Sequence, residues 1–160
     1  MANKIMEATA ILPVKRRWQV RSHTCGYVSA WMVLEYFNID PPRGQLSERI
    51  RITSEGTRQV DLVHGLRSYG LGVGVRYDLD YEQIKAAITN SKPLIVYDHK
   101  KDHWLVVHGF GLAENYTKKY VYTADPNRGA ETMRLWEKLS PKLKGFGLVC
   151  SNKTFIKGGL

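Results

Sequence analysis

The chain has 160 residues, which is long enough to bury a hydrophobic core and fits one domain spanning 1–160. Hydrophobic residues make up 43% of it and charged residues 24%, as in ordinary soluble globular proteins, and no apolar run approaches the roughly 20 residues that cross a membrane. The N-terminus lacks the pattern of a signal peptide, so we expect a cytoplasmic protein with free thiols at Cys25 and Cys150.

The net charge of +9 arises from 24 basic and 15 acidic residues. This excess suggests an acidic partner or surface, for example an acidic peptide or protein substrate. The basic residues are scattered and no nucleic-acid-binding motif frames them, so nucleic acid is not the expected partner. The sequence contains neither CxxC nor HExxH, and no metal or other cofactor is expected.

The first half of the chain shows mainly helical periodicity. Residues 1–17 have the character of an extended lead-in. Apolar side chains on nearly every side of 25–38 predict a central, buried helix, and Pro41-Pro42 rule out its continuation. The other predicted elements of this half, in chain order, are a short helix at 47–53, a helix at 58–69, a strand at 72–77 and a helix at 81–90 capped by Asp80.

Strands dominate the second half. Apolar runs predict them at 93–97, 104–110, 120–124 and 145–151. Between the last two, 132–139 has the pattern of a short helix or turn. Helices followed by antiparallel strands indicate an α+β fold, in which an N-terminal helical half packs on a C-terminal antiparallel β-sheet.

A cysteine stands at the start of the predicted buried helix. The positive end of a helix dipole favours thiolate over thiol, so Cys25 has the position of an activated nucleophile. Gln19 lies six residues upstream, from where its amide can point at the same spot as an oxyanion donor would. The structural alternative is that Cys25 is a small buried hydrophobe. Cys150 ends an apolar strand and is interpreted as structural.

A histidine and an aspartate mark the ends of two successive strands. His103 opens one strand and Asp125 follows the next, and the two strands could form a hairpin. A hairpin loop centred at Glu114 places His103 opposite Asp125, whereas a centre one residue later places it opposite Asn127. Directly opposed side chains lie about 5 Å apart at Cβ, so a carboxylate or amide can orient the imidazole.

The other histidines have structural interpretations. His108, five residues after 103, faces the other side of the strand and is interpreted as a core or interface residue. His99 and His23 lie in polar turns and are expected to be solvated. Asp125, which precedes a proline, also fits an ordinary turn at a strand end.

Taken in this order, these features resemble the papain-like cysteine peptidases, most closely the bacteriocin-processing branch that cleaves leader peptides after a double glycine. The matching motifs are Gln19, Cys25-Gly26, Gly56-Thr57, residues 66–71, 103–107 and 124–126. The resemblance implies a papain-like fold in which Cys25 is the nucleophile, His103 the general base and later acid, and Asp125 the group that orients His103. It also implies an oxyanion hole formed by Gln19 and the backbone N–H of Cys25.

We therefore expect a stand-alone papain-like cysteine peptidase that cleaves a peptide or amide bond through a Cys-His-Asp triad and an acyl-enzyme. Two alternatives stay open. An acyl or amide transferase, or a deamidase, would use the same triad with a different acceptor. A non-catalytic module would use the cleft of the same fold to hold a peptide, but it would have no need of all three triad residues.

Overall fold

The computed structural model describes residues 9–113 and 117–152 of the chain. A short 3-10 turn, Ser22–Thr24, leads into the first helix. The helices in these ranges are α1 (Cys25–Tyr36), α2 (Gln45–Arg49), α3 (Gln59–Ser68), α4 (Tyr81–Thr89) and α5 (Trp136–Leu143). The strands are β1 (Ala10–Ile11), β2 (Leu71–Arg76), β3 (Leu94–Asp98), β4 (His103–Ala113), β5 (Lys118–Ala124), β6 (Met133–Leu135) and β7 (Gly147–Asn152).

Within the described residues, seven strands join one antiparallel sheet. Its order is β2-β7-β3-β4-β5-β6, and β1 pairs with the far end of β4, beyond the stretch that pairs with β3. The early strand β2 lies at one edge, beside the last strand β7. The predicted α+β fold is confirmed, and β1 and β2 add strands from the N-terminal half to its sheet.

The central strands β3 and β4 contain long apolar runs because helices cover both faces of the sheet. In β3, Ile95 belongs to the core shared with α1, α2 and α3, whereas Leu94 and Val96 belong to the core shared with α4 and α5. Successive side chains of a strand point to opposite faces, so a doubly covered strand needs an uninterrupted apolar run. The helices α4 and α5 thus form a third layer, on the face away from α1.

Local sequence signals predict the ends of helices better than they predict strands. Asp80 caps α4 as predicted, since its Oδ1 accepts the N–H of Gln83 at 2.8 Å. The segment 132–139, predicted as one short helix or turn, is divided between β6 and the start of α5, so that prediction was wrong for β6. The reason is that β6 pairs with the edge of β5, a contact that periodicity within the segment cannot reveal.

The start of α1 is held tightly against the start of β4. The indole N–H of Trp104 donates to the Thr57 carbonyl at 3.0 Å. A Cβ placed on Gly26 would lie 2.9 Å from the Thr57 Cβ and 3.1 Å from Cδ1 of Trp104. Glycine is therefore required here by lack of space, and the close contact fixes where the neighbouring Cys25 stands relative to β4.

Gly26→Ala should lower the free energy of unfolding by about 1–3 kcal/mol, because the added methyl group must displace Thr57 and Trp104. Gly74→Ala in β2 is the matched control, since a Cβ at Gly74 meets nothing within 4 Å. The control should keep its stability or gain up to about 1 kcal/mol. Chemical denaturation measures both variants, and equal stabilities would show that the contact at Gly26 relaxes without cost.

Candidate active site

Cys25 is the first residue of α1 and is 3% exposed. The backbone N–H of Trp104 donates a hydrogen bond to its Sγ at 3.4 Å. The sulfur therefore has the N-terminus of a 12-residue helix beside it and a backbone donor from β4, both of which direct partial positive charge towards it. The start of the helix at Cys25 was predicted from the sequence. The hydrogen bond from the Trp104 backbone was not, because a backbone donor on another strand leaves no signal in the sequence.

His103 and Asp125 form a buried pair. Nε2 of His103 lies 2.6 Å from Oδ1 of Asp125, and the two side chains are 12% and 4% exposed. His103 is the first residue of β4, and Asp125 directly follows β5. The structure thus brings together the two side chains that we had chosen from the sequence because each lies at the end of a strand.

The contact does not follow from direct opposition across the hairpin. Residue 106 pairs with 124 and 107 with 123, and this register, if continued, would place Asn127 opposite His103. The tip of the hairpin, 114–116, lies outside the described residues. Pairing ends at Ala124 and the chain then turns, so Asp125 makes the contact. The N–H of Asn127 supports this turn by donating to Oδ1 of Asp125 at 2.8 Å.

Asp125 has a further partner that sequence reasoning missed. Arg134, in β6, donates from Nη2 to Oδ2 of Asp125 at 2.5 Å. Burial favours the protonated acid, but the hydrogen bonds from His103 and the N–H of Asn127, together with the charges of His103 and Arg134, outweigh burial. The pKa of Asp125 therefore lies below its ordinary value. Arg134 was missed because 132–139 carries no strand pattern that would place it beside β5.

The same contacts prepare His103 to carry a positive charge. Burial lowers the pKa of the imidazole, but the hydrogen bonds with Asp125 and Cys25, and the charges of both, outweigh burial and raise the pKa to about 9. Since Nε2 faces Asp125, Nδ1 is the ring nitrogen available to Cys25. Sulfur, imidazole and carboxylate therefore follow one another in that order.

Gln19 lies beside the 3-10 turn that leads into Cys25. Its backbone N–H donates to the Pro126 carbonyl at 2.8 Å, which ties this segment to the turn that carries Asp125. The side-chain Nε2 donates to the Arg21 carbonyl at 2.9 Å, and Oε1 is buried without a hydrogen-bond partner among the described residues. A carboxamide nitrogen has two hydrogens, so one remains for a ligand.

Two of the three consecutive basic residues at 15–17, Arg16 and Arg17, form contacts within the protein. Arg17 forms an ion pair with Glu35 at 2.5 Å and lies over the Trp31 ring at 4.7 Å. Arg16 crosses to the turn after β5, where its guanidinium donates to the carbonyls of Asp125, Asn127 and Ala130. Both arginines therefore bind this chain, so their contribution to the net charge does not point to an external acidic partner.

Other candidate residues have structural environments. His108 donates from Nδ1 to a carbonyl of the N-terminal lead-in at 2.9 Å, in agreement with its interpretation as a core or interface residue. His99 was expected to be solvated, but it is half-buried and packs edge-on against Tyr97 and Phe146. Cys150 is fully buried, and burial raises its pKa to about 12. Both cysteines are free.

A cleft of about 750 Å³ opens close to the first turn of α1, although neither Cys25 nor His103 lines it. Thr57 and Trp104, which contact that turn, form part of its wall. The other walls are aromatic or charged and include Tyr77, Tyr97, Phe146, Arg51, Arg58, Lys144 and Glu55. Apolar walls with a few polar groups are typical of a cleft that binds an organic ligand.

Two kinds of feature do not occur in 9–113 and 117–152. No group of three or more His, Cys, Asp or Glu side chains there could hold a metal ion. No helix there combines the length and the apolar character needed to cross a membrane.

Solved structures of peptidases share this fold. A double-glycine-motif protease from an AMS/PCAT transporter, solved in complex with the leader peptide, matches with a TM-score of 0.68 at 22% identity, over 89% of this chain and 94% of that one. The peptidase domain of Streptococcus ComA, a bifunctional ABC transporter of a quorum-sensing pathway, matches with a TM-score of 0.67 at 16% identity, over 88% and 99%. A protein described as a C39-like peptidase from Bacillus anthracis gives 0.71 at 14% identity, over 89% and 96%.

At these identities the structural likeness establishes the fold, and the family follows from a family model. Comparison with curated proteins gives no match. The model of the peptidase C39 family matches residues 14–154, a range that contains Gln19, Cys25, His103 and Asp125. The chain therefore belongs to the peptidase C39 family and is a cysteine peptidase with a papain-like fold.

Proposed function

We propose that the protein cleaves a peptide bond through a catalytic triad of Cys25, His103 and Asp125, with an acyl-enzyme formed on Cys25. The observation that carries this proposal is the 2.6 Å contact between Nε2 of His103 and Oδ1 of Asp125, with Cys25 near enough to the same imidazole to help raise its pKa. A nucleophile, a base and an orienting group in this sequence of contacts recur in hydrolases of unrelated fold.

The first half-reaction forms the acyl-enzyme. The thiolate Sγ of Cys25 attacks the carbonyl carbon of the substrate, so that a C–S bond forms and the carbonyl π electrons move to oxygen. His103 is protonated at pH values below its pKa of about 9 and can act as general acid at neutral pH. It gives its proton to the amine nitrogen as the C–N bond breaks, which leaves a thioester on Cys25.

The second half-reaction releases the acyl group. The neutral imidazole of His103 accepts a proton from a water molecule, whose oxygen attacks the thioester carbonyl carbon. The C–S bond breaks, the sulfur leaves as thiolate, and the protonated imidazole faces it again. Asp125 stabilises the imidazolium and keeps Nδ1 directed at Cys25 during both half-reactions.

Gln19 and the backbone N–H of Cys25 are the proposed donors to the oxyanion. The amide of Gln19 is anchored at the Arg21 carbonyl, beside the turn that leads into the nucleophile. An anchored donor needs no reorganisation when negative charge develops on the substrate oxygen, which is why such donors accelerate acyl transfer.

Arg134 is proposed as a positioning residue that acts through Asp125. Its bond to Oδ2 fixes the carboxylate from the side opposite His103 and keeps it ionised. An ionised carboxylate accepts a hydrogen bond from Nε2–H of His103, so the proton of Nε2 stays in place and Nδ1 remains the nitrogen that exchanges protons.

The proposed substrate is a peptide. Support comes from the cleft beside Cys25, whose aromatic and polar walls suit a peptide segment. Further support comes from the double-glycine-motif protease of similar fold, which was solved with a leader peptide bound.

At pH 6, Cys25 should react with iodoacetamide roughly a hundredfold faster than Cys150 or more, because an ordinary thiol is almost wholly protonated there. Burial, which raises the pKa of Cys150 to about 12, makes that thiol less reactive still. His103→Ala should remove most of the advantage of Cys25 at pH 6 but little at pH 10, because above its pKa of about 9 the imidazole of the wild type has lost most of its charge as well. Mass spectrometry of the cysteine peptides gives both rates, and equal rates in the folded protein would contradict the nucleophile assignment.

Cys25→Ala and His103→Ala should each abolish turnover, whereas Asp125→Ala should leave a measurable remainder, because the reacting groups are kept and only their orientation is lost. Arg134→Gln should lower kcat by less than Asp125→Ala and leave KM unchanged, and Arg134→Lys should recover part of the loss. Steady-state kinetics on one peptide substrate measure all five variants.

The control for this series is His108→Gln, which keeps a donor for the carbonyl of the lead-in and should retain wild-type kcat. An active His103→Ala enzyme alongside an inactive His108→Gln enzyme would reverse the assignment of the two histidines.

Gln19→Ala should lower kcat by about 10²–10³, equivalent to roughly 2.7–4 kcal/mol of transition-state stabilisation. KM, thermal stability and the alkylation rate of Cys25 should change little, because Gln19 acts on the developing oxyanion. Val20→Ala is the control, since its side chain is 96% exposed. A folded Gln19→Ala enzyme with wild-type kcat would remove Gln19 from the oxyanion hole.

A further inference from the structure

The cleft beside Cys25 continues into two further hollows. It shares His99 and Lys144 with a hollow of about 430 Å³, which in turn shares Lys138 and Lys142 with a hollow of about 470 Å³. The last hollow reaches Arg134, the partner of the triad carboxylate. The three hollows, together called the groove, are therefore neighbours along the surface, with Thr57 and Trp104 at one end and Arg134 at the other.

Lysines line this groove. The lysine band, as we call it, consists of Lys100, Lys101, Lys138, Lys142 and Lys144. Within 9–113 and 117–152 none of the five forms an ion pair, in contrast to Lys85 with Glu82 and Lys118 with Glu137. Among the described residues that line the second and third hollows, Glu131 is the one carboxylate.

The fold fixes the backbone positions of the lysine band, although the like charges of its side chains repel one another. Lys138 and Lys142 are four residues apart in α5, where like charges destabilise a helix. The last turn of a helix favours a cation, which accounts for Lys142 but not for Lys138. At the other side of the groove, Oδ1 of the buried Asp98 accepts the backbone N–H groups of Lys100 and Lys101 at 2.9 and 3.1 Å. This turn therefore presents two adjacent lysine side chains from a fixed backbone.

The geometry points to an acidic segment of the peptide substrate as the occupant of the lysine band. This inference rests on the proposed function, because the groove continues the cleft in which the scissile bond would lie. Carboxylates on the substrate would form the ion pairs that the five lysine side chains do not form with the described residues. A flat membrane would contact only the rim of this groove. An extended peptide already bound in the cleft could lie along the groove and contact its lysines.

The test uses electrophilic peptide probes that react at Cys25. The probes share one core and differ in a short extension of Glu, Gln or Lys residues, placed on either side of the electrophile. At low salt the acidic extension should label Cys25 about tenfold faster than the basic one, and the difference should shrink at high salt because the charges are screened.

Matched triple variants locate the effect. Lys100→Gln, Lys101→Gln and Lys138→Gln together should abolish the preference for the acidic extension. Lys15→Gln, Arg43→Gln and Lys92→Gln remove the same charge from exposed positions outside the groove and should retain the preference. Iodoacetamide should label Cys25 at the same rate in both triple variants and in the wild type.

The outcomes separate the two proposals. A Cys25 that iodoacetamide labels no faster than Cys150 would overturn the proposed function itself. A reactive Cys25 that is labelled at the same rate whatever the charge of the extension would overturn the inference about the lysine band alone.

Phosphatidylserine vesicles and a DNA duplex serve as competing anions. If the groove variant loses binding to either while it keeps the preference for acidic probes, the band serves a partner of that class and the inference is wrong.

Discussion

The buried carboxylate of Asp125 joins parts of the chain that are far apart in sequence. Its Oδ1 contacts His103 of β4, its Oδ2 contacts Arg134 of β6, and its backbone carbonyl accepts a hydrogen bond from Arg16 of the N-terminal lead-in. An ionised carboxylate in the interior is costly unless donors and positive charges surround it. The donors that hold Asp125 therefore stabilise the fold as well as the pair with His103, and they come from the hairpin, the edge strand β6 and, through the backbone carbonyl, the lead-in.

Whether a feature could be predicted from the sequence depends on how far apart along the chain the interacting residues lie. The buried helix after Cys25 and the cap of α4 at Asp80 are local patterns, and both were predicted from a few neighbouring residues. His103 and Asp125 were selected together because strand ends that meet across a hairpin are a short-range inference, even though a turn after Ala124, and not direct opposition, brings them into contact. Arg134 and the backbone donor of Trp104 were missed because each acts through pairing or packing between distant segments, for which no signal exists within the segments themselves.

The basic residues of the chain fall into an inward-facing group and a surface group, and some arginines, such as Arg51 and Arg58 at the cleft, belong to the second. Arg16, Arg17 and Arg134 turn inward, where a planar guanidinium can donate to several oxygens at once, as Arg16 does to three carbonyls. The lysines around the cleft stay at the surface, since an ammonium is strongly hydrated and is seldom buried. A net charge of +9 is thus a sum over two populations, one that holds the site together and one that faces whatever approaches it.

The long reach of Arg16 has a consequence for the order of events on the ribosome. Its guanidinium bonds to carbonyls 109, 111 and 114 positions later in the chain, and Cys25 precedes His103 and Asp125 by 78 and 100 positions. Synthesis proceeds from the N-terminus, so the helix that carries the nucleophile emerges well before β4, β5 and β6. On the nascent chain, the thiol of Cys25 therefore emerges without His103 and Asp125. The proposed triad can form only after β4, β5 and β6 have been made, so the activity proposed for it would begin late in synthesis.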